Sequence, residues 1–387
     1  DKLISGETLV TGKSLKEILK EIKGRVAGLK GVERIIKANL EKATELFLYN
    51  RRLTKIPKEM EKLTQLTRLR FAGNQLTSVE GLEKLTQLEE LYLADNQLTD
   101  VSALEKLTQL KELSLYNNKL TSVKGLEKLT QLKKLFLGYN QLTSVKGLEN
   151  LTQLKELSLY NNKLTDVKSL EKLTQLTILR LDGNQLTSVK GLEKLTRLTH
   201  LNLVGNRLTS VKGLENLTQL RTLYLDVNQL TSVKGLEKLN QLTELRLNGN
   251  KLTDVTALEK LTQLAALWLE DNPALTKAQI AELQKALPEC YVHSNLPLTK
   301  EESAKVIEAS IRNHFLVKKP TGELTKADYE KVTHLNLFNK KLTDVKGLEK
   351  LTQLTYLYLN DNPALTKAQI AKLQKALPKC RIDSNPT

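Results

Sequence analysis

An asparagine recurs every 22 residues along most of this chain, and this spacing constrains the fold more than any other feature of the sequence. Ten asparagines in succession keep the spacing: Asn74, Asn96, Asn118, Asn140, Asn162, Asn184, Asn206, Asn228, Asn250 and Asn272. Around each one the same frame of leucines and a valine returns, as in the copy containing Leu113, Leu115, Leu120 and Val123. A period of this length is typical of proteins that stack one short unit on the next instead of enlarging a single core.

Each repeat combines a strand-like segment with a short return segment. In LKELSLYNN, at 110–118, leucines alternate with variable residues, which suits a short strand with one buried face. The segment VKGLEKL, at 123–129, is too short for a long helix and favours an extended or 3-10 path with glycine at the turn. Parallel strands joined by right-handed crossovers then form an array of about 11 strands, roughly 50 Å long.

These repeats resemble the leucine-rich repeat, specifically its 22-residue SDS22-like and internalin-like class, over residues 43–272 and again over 332–387. The resemblance implies an α/β fold, a right-handed horseshoe-like solenoid. It has a parallel concave sheet, a short 3-10 or extended convex side and helical caps. It also implies a bacterial source and favours a secreted or cell-surface location. The first residues, DKLISGETLV, do not form a secretory signal, so the sequence leaves the compartment open.

Five segments are predicted. They are a helical cap at 1–42, the main array at 43–272, its C-terminal cap at 273–295, a helical linker at 296–330, and a second short module of two strands with its own cap at 331–387. Capping boxes at Ser14/Glu17, Thr276/Gln279 and Thr299/Glu302 mark the helix starts, and Pro288 ends the cap helix.

The short module is expected to need support, because stable arrays usually contain three or more repeats. We therefore expect it to dock either on the long array or on the helix predicted at 299–313. Between that helix and the module, KKPTGELTKAD is interpreted as a hinge.

The ten asparagines are predicted to be buried structural residues. An amide both donates and accepts hydrogen bonds, so a stacked ladder of them satisfies backbone groups where each strand turns away. Arg51 and Lys340 stand where the first asparagine of each array is expected, and we interpret both as edge positions.

Contact residues are predicted from the strand positions that differ between copies, since the return segments barely change. The two variable positions of each strand face the concave side by the two-residue period and by analogy with the family. The predicted partner-binding residues are Phe47, Tyr49, Arg70, Tyr92, Tyr116, Phe136, Tyr139, Tyr160, Arg180, Asp182, Tyr224, Asp226, Arg246, Trp268 and Glu270. Tyr, Trp and Arg commonly anchor interfaces. The alternative is that the aromatic residues only pack on one another across strands.

Composition argues against several other functions. The net charge of +16 is spread out, and residues 66–272 hold 27 basic and 23 acidic side chains, so a nucleic-acid partner is not expected. No apolar stretch of about 18 residues predicts a membrane span. The histidines do not share metal-ligand spacing with Cys290 or Cys380, which we interpret as buried, inert thiols. No cofactor or catalytic motif is expected.

The sequence therefore predicts a non-catalytic recognition scaffold that binds a protein or peptide partner on its concave face. A carbohydrate-binding surface protein is one alternative, because exposed aromatic residues also suit sugars. A structural, consensus-like scaffold without a dedicated ligand is another. The sequence does not indicate the oligomeric state.

Overall fold

Short parallel strands at a constant spacing along the chain build two sheets. The computed structural model describes residues 9–10, 43–294, 298–314 and 316–386, and the chain divides into two compact units, Asp1–His293 and Ser294–Thr387. In the first unit the described strands form one parallel sheet in chain order: β1 (Leu9–Val10), β2 (Glu45–Phe47), β3 (Arg68–Arg70), β4 (Glu90–Tyr92), β5 (Glu112–Ser114), β6 (Lys134–Phe136), β7 (Glu156–Ser158), β8 (Ile178–Arg180), β9 (His200–Asn202), β10 (Thr222–Tyr224), β11 (Glu244–Arg246), β12 (Ala266–Trp268) and β13 (Tyr291–His293). The predicted solenoid with a parallel sheet is confirmed.

Leucines set the register of this sheet. The central leucine of each repeat strand pairs with the central leucine of the next, as Leu91 does with Leu113, and both are fully buried. The residues on either side of it lie on the opposite face of the sheet, because successive side chains of a strand point to opposite faces. Phe71 replaces one core leucine and is also fully buried.

The return segments run as turns and short 3-10 helices, as the sequence predicts. The 3-10 helices of the first unit are Lys58–Lys62, Ser102–Lys106, Lys168–Leu170, Leu236–Lys238 and Thr256–Lys260. Gly125 shows why glycine belongs at the turn: its φ is 93°, and an added Cβ would lie 2.4 Å from the Cα of Ser102. A residue with a side chain would collide with the neighbouring repeat there.

The ends of the first sheet differ in part from the prediction. β1 pairs with β2, so β2 is not the edge strand assumed in interpreting Arg51. Residues 11–42, which contain the predicted Ser14/Glu17 capping box and most of the predicted cap, lie outside the described residues. At the other end, helix α1 (Lys277–Ala286) starts at the predicted Thr276/Gln279 box, and the added strand β13 follows it.

The second unit contains three described strands where two are predicted. β14 (His334–Asn336), β15 (Tyr356–Tyr358) and β16 (Arg381–Asp383) form its parallel sheet, with a 3-10 helix at Leu348–Lys350. Its helices are α2 (Lys300–Arg312), α3 (Lys326–Glu330) and α4 (Lys367–Ala376). The number of strands was underestimated because the segment after each cap helix was interpreted as part of the cap.

Helix α2 belongs to the core of the second unit. It begins at the predicted Thr299/Glu302 capping box, and Ile307 and Ile311 are buried in one cluster with Leu335. The stretch interpreted as a hinge is held by hydrogen bonds, since Arg312 Nη1 donates to the Gly322 carbonyl at 2.8 Å.

Candidate partner-binding surface

The repeated asparagines connect each repeat to the one before it. Asn118 is buried; its Nδ2 donates to the Leu93 carbonyl at 3.0 Å and the Leu115 carbonyl at 3.1 Å, while its Oδ1 accepts the Leu98 amide at 3.0 Å. The other nine are also buried, with 4–8% of their surface exposed. These bonds fix the strand ends and so hold the residues of the sheet face in a regular array.

Arg51 and Lys340 lie where each series of asparagines begins. The Arg51 amide donates to Oδ1 of Asn74 at 2.9 Å. Lys340 is exposed, and Asn362 of the next repeat donates to the Leu337 carbonyl at 2.8 Å. Both positions are thus followed by a ladder asparagine that bonds back to the earlier repeat.

The predicted contact residues share one face of the first sheet, and most of them form three clusters. Most are half-buried, whereas Arg180 and Tyr139 are exposed. We name the clusters by their residues: the first cluster is Phe47, Tyr49, Arg70 and Tyr92; the tyrosine cluster is Tyr116, Tyr139, Tyr160 and Arg180; the tryptophan cluster is Tyr224, Arg246, Trp268 and His293.

The first cluster is an arginine between two aromatic rings. The Arg70 guanidinium carbon lies 5.2 Å from the Phe47 centroid and 4.6 Å from the Tyr92 centroid, and its Nη1 donates to the Tyr49 hydroxyl at 3.1 Å. The Tyr92 hydroxyl donates to Glu112 Oε1 at 2.6 Å. Burial, then this bond to a carboxylate, raises the pKa of Tyr92 well above its usual value.

The tyrosine cluster is built over a glycine. The centroids of Tyr139 lie 5.5 Å from Tyr116 and 5.3 Å from Tyr160, both edge to face, and Tyr116 and Tyr160 are 5.9 Å apart. A Cβ on Gly138 would lie 2.5 Å from Cε1 of Tyr160, so only glycine leaves room for this arrangement. The Arg180 guanidinium covers the Tyr160 ring at 4.2 Å.

The tryptophan cluster extends across four strands. Arg246 lies between Tyr224 and Trp268, 4.6 and 4.7 Å from their centroids. His293 stacks on Trp268 at 4.7 Å and 9°, and Tyr291 contacts His293 edge to face at 4.3 Å. Sequence reasoning missed Tyr291 and His293 because the repeat was followed only to residue 272, although YVHSN after the cap helix alternates like a repeat strand.

Two of the predicted arginines are paired with carboxylates of the same chain. Arg180 Nη2 lies 3.4 Å from Asp182 Oδ2, and Arg246 Nη2 lies 3.1 Å from Glu244 Oε1. Each of these arginines therefore contacts both a carboxylate and an aromatic ring of the same chain.

Besides Asp182, three predicted residues lie among the clusters without joining their stacks. Phe136 is in register between Ser114 and Ser158, which are both buried. Asp226 accepts the Asn248 amide at 3.0 Å, and the Glu270 amide donates to the Asn248 side chain at 2.7 Å.

The cross-strand packing considered as an alternative is therefore present, but it does not bury the whole face. Tyr139 is 47% exposed and Tyr291 54% exposed. Val227, which sequence reasoning also missed, is 61% exposed beside Asp226.

The two cysteines lie in surroundings that disfavour a reactive thiolate. Cys290 and Cys380 are buried, and burial raises the pKa of the Cys290 thiol to about 11, which makes it a poor nucleophile near neutral pH. Within the described residues, no three His, Cys, Asp or Glu side chains are grouped to hold a metal ion. No helix in that part of the chain has the length and apolarity to cross a membrane.

Comparison with known proteins agrees with this geometry. The family model "Leucine Rich repeats (2 copies)" matches residues 64–106, 86–128, 108–150, 130–172, 152–194, 196–238 and 330–373, which together exceed half of the chain. The chain belongs to the leucine-rich-repeat family. No curated protein sequence matches it.

Several solved structures share this leucine-rich-repeat fold. A leucine-rich-repeat protein of Leptospira interrogans is 28% identical, with a TM-score of 0.67 and 96% of this chain and 98% of that chain covered. An internalin, InlF of Listeria monocytogenes, is 24% identical, with a TM-score of 0.60 and coverages of 96% and 90%. A chain from an octameric complex of Latrophilin 3, Unc5D and FLRT2 is 26% identical, with a TM-score of 0.56 and coverages of 66% and 85%. Leucine-rich-repeat proteins of this kind are mainly non-catalytic binding scaffolds.

Proposed function

We propose that this leucine-rich-repeat protein binds a protein or peptide partner on the face of its first sheet, through the first, tyrosine and tryptophan clusters. The observation that carries the proposal is the arrangement of nine aromatic side chains from the main array on that face, most of them held by arginine or ring contacts. An ordinary solvated surface would not gather so many large rings.

Preorganisation is the physical reason why these clusters suit binding. A flexible side chain loses conformational entropy when a partner immobilises it, at a cost of about 0.5–1.5 kcal/mol each. Arg70, between two rings, and Arg246, between Tyr224 and Trp268, are already restrained. Tyrosine and tryptophan then offer a large contact area with few rotatable bonds.

The same contacts favour a protein partner over a carbohydrate. A sugar ring stacks on an open aromatic face. Trp268 in β12 carries Arg246 from β11 on one side and His293 from β13 on the other, at 4.7 Å each, so both of its faces are covered. Tyr160 has one face under Arg180. These rings present edges and hydroxyl groups, which suit protein backbone and side chains better.

One structural relative supports this direction. The complex of Latrophilin 3, Unc5D and FLRT2 is an assembly of proteins in which FLRT2 is represented by its leucine-rich repeats. We extend the same kind of role, recognition of another protein, to this chain.

The proposal can be tested with a displayed library of random peptides selected on the full chain. Affinity for the selected peptides is then measured for a quadruple variant, Tyr116→Ala, Phe136→Ala, Tyr139→Ala and Tyr160→Ala. The matched control replaces four exposed residues away from this face: Gln87→Ala, Gln109→Ala, Gln131→Ala and Gln153→Ala. We expect affinity to fall at least about tenfold in the first variant and to be unchanged in the second.

Two results would contradict the proposal. One is a library that yields no peptide binding to the wild-type chain. The other is equal binding by both quadruple variants, which would place any recognition elsewhere. A glycan array probed with the same chain addresses the carbohydrate alternative, and glycan binding lost only in the aromatic variant would replace a protein partner by a sugar.

A further inference from the structure

The residue immediately before each ladder asparagine has a left-handed backbone. In all ten repeats of the main array its φ lies between 51° and 69°. Eight of these ten positions hold glycine, asparagine or aspartate: Gly73, Asp95, Asn117, Asn161, Gly183, Gly205, Gly249 and Asp271. These are the residue types that tolerate this conformation at least cost, because other side chains crowd the following carbonyl group.

Tyr139 and Val227 are the two exceptions, and only one of them has a local explanation. Tyr139, at φ 52°, makes edge-to-face contacts with Tyr116 and Tyr160. Val227, at φ 54°, is β-branched, which makes a left-handed backbone least favourable, and its side chain is 61% exposed. Because the methyl groups are exposed, they stabilise the fold little, whereas the backbone strain at Val227 destabilises it. Strain retained at an exposed position points to a function.

The residue before Val227 is Asp226, which is the second residue of the inference. Asp226 is half-buried, and its Oδ1 accepts the Asn248 amide at 3.0 Å. Burial raises the pKa of Asp226, which means that the ionised carboxylate is poorly solvated in the free protein. Arg246, the cation that acts on Asp226, is already paired with Glu244 and held between two rings.

An apolar surface next to an under-solvated carboxylate has a natural complement. Lysine and arginine side chains have a long methylene stem and a charged end. Resting on the proposed function, we infer that Val227 and Asp226 together bind one lysine or arginine side chain of the partner, with the stem on the valine methyl groups and the charge at the carboxylate. Gly249, in the turn after β11, leaves the side of Val227 uncovered.

The test uses the full chain and the displayed peptide library described above. We expect the selected peptides to share a lysine or arginine at one position, and replacement of that residue by norleucine to weaken binding about tenfold. Val227→Asn introduces the residue type that Asn117 and Asn161 provide at the equivalent position of other repeats. It should raise the melting temperature by roughly 2 °C and weaken peptide binding about tenfold. Asp226→Asn should weaken binding by a similar factor, whereas the exposed control Glu80→Gln should not change it.

Each other outcome counts against this inference. Selected peptides without a shared basic residue overturn it, as does wild-type affinity in Val227→Asn or in Asp226→Asn. If the melting temperature does not rise in Val227→Asn, then Val227 is not strained, and the inference loses one of its premises. If the aromatic quadruple variant loses binding while both of these variants keep it, this inference fails and the proposed function stands. If no peptide is selected at all, both fail.

Discussion

The guanidinium of Arg246 lies 4.7 Å from the centroid of the Trp268 indole, on the side opposite to the stacked His293 ring. Trp268 is the only tryptophan in the chain, so its fluorescence reports on this one cluster. The arginine keeps water from one indole face and is itself positioned by Glu244. This relationship makes the tryptophan cluster directly measurable.

Replacing Arg246 by lysine should open that indole face. Lysine keeps the positive charge near Glu244 but lacks the planar group that stacks on aromatic rings. We expect the emission maximum of Trp268 to shift to longer wavelength and the affinity for selected peptides to fall several-fold. Arg221→Lys, at an exposed position, is the control. An unchanged emission spectrum in Arg246→Lys would mean that the stack does not shield the indole in solution.

Removing one ladder amide should destabilise the array strongly. In Asn162→Ala the Leu142 amide loses its acceptor and the carbonyl groups of Leu137 and Leu159 lose their donor. Each buried polar group left unsatisfied costs about 1–3 kcal/mol, so urea unfolding should show a loss of about 3 kcal/mol or more. Gln141→Ala, which is exposed, should stay within about 0.5 kcal/mol of wild type. Similar losses in both variants would refute the ladder's structural role.

Gly138→Ala should disturb the tyrosine cluster through one added methyl group. The new Cβ would lie 2.5 Å from Tyr160, so the ring must move. Overpacking of this kind costs about 1–3 kcal/mol, and the near-ultraviolet circular dichroism of the tyrosines should change. In a Tyr160→Ala background the same substitution should cost much less. Ala94 occupies the equivalent position of another repeat, so the backbone itself accepts alanine. An equal cost in both backgrounds would show that the collision is not the cause.

The free energy of unfolding should decrease at alkaline pH, in part because of Tyr160. Burial, followed by a hydrogen bond with Tyr116, raises the pKa of the Tyr160 phenol from its ordinary 10.0 to about 12. The folded chain thus holds this proton more tightly than the unfolded chain does. Its contribution to stability is complete below pH 10 and is lost as the pH rises towards 12. Chemical unfolding across this range should show a smaller loss in Tyr160→Phe, and an identical loss would contradict the assignment.

Asp328 should protect the segment before helix α3 from proteolysis. Its carboxylate accepts the Thr325 amide at 2.9 Å and pairs with Lys319 at 2.9 Å. The Thr325 amide and then Lys319 hold the pKa of Asp328 well below its usual range. This contribution to stability is present above pH 3.8 and is lost as the pH falls. Near neutral pH, Asp328→Asn should speed tryptic cleavage after Lys318, whereas Glu330→Gln should not. Equal cleavage rates would show that the segment is held by other contacts.

The period of 22 residues was sufficient to predict the repeated strands, their parallel order and the buried asparagines, because each repeat has the same hydrophobic frame. The capping boxes at Thr276 and Thr299 were also predictable, since they depend on residues three apart. β13 and β16 were missed because the repeat was not followed past each cap helix, although the residues after it alternate as in the other strands.

The candidate site was only partly predictable for a different reason. The sequence identifies which side chains alternate onto the sheet face, but the partner of each ring depends on rotamers and on neighbours one repeat away. Nothing in the order of residues shows that Arg246 lies between two rings, or that Gly138 makes room for Tyr160. Val227 could have been noticed, since it departs from the Gly, Asn or Asp at its position.

The ladder amides bond only within their own repeat and to the one before it, as Asn118 does with Leu115 and Leu93. A whole unit can therefore be gained or lost by unequal recombination without leaving a broken bond at the junction. Each such event would move the clusters on either side apart or together by about 4.8 Å, one strand spacing. Lineages carrying this gene could adjust the reach of the surface in discrete steps while its chemistry stays the same.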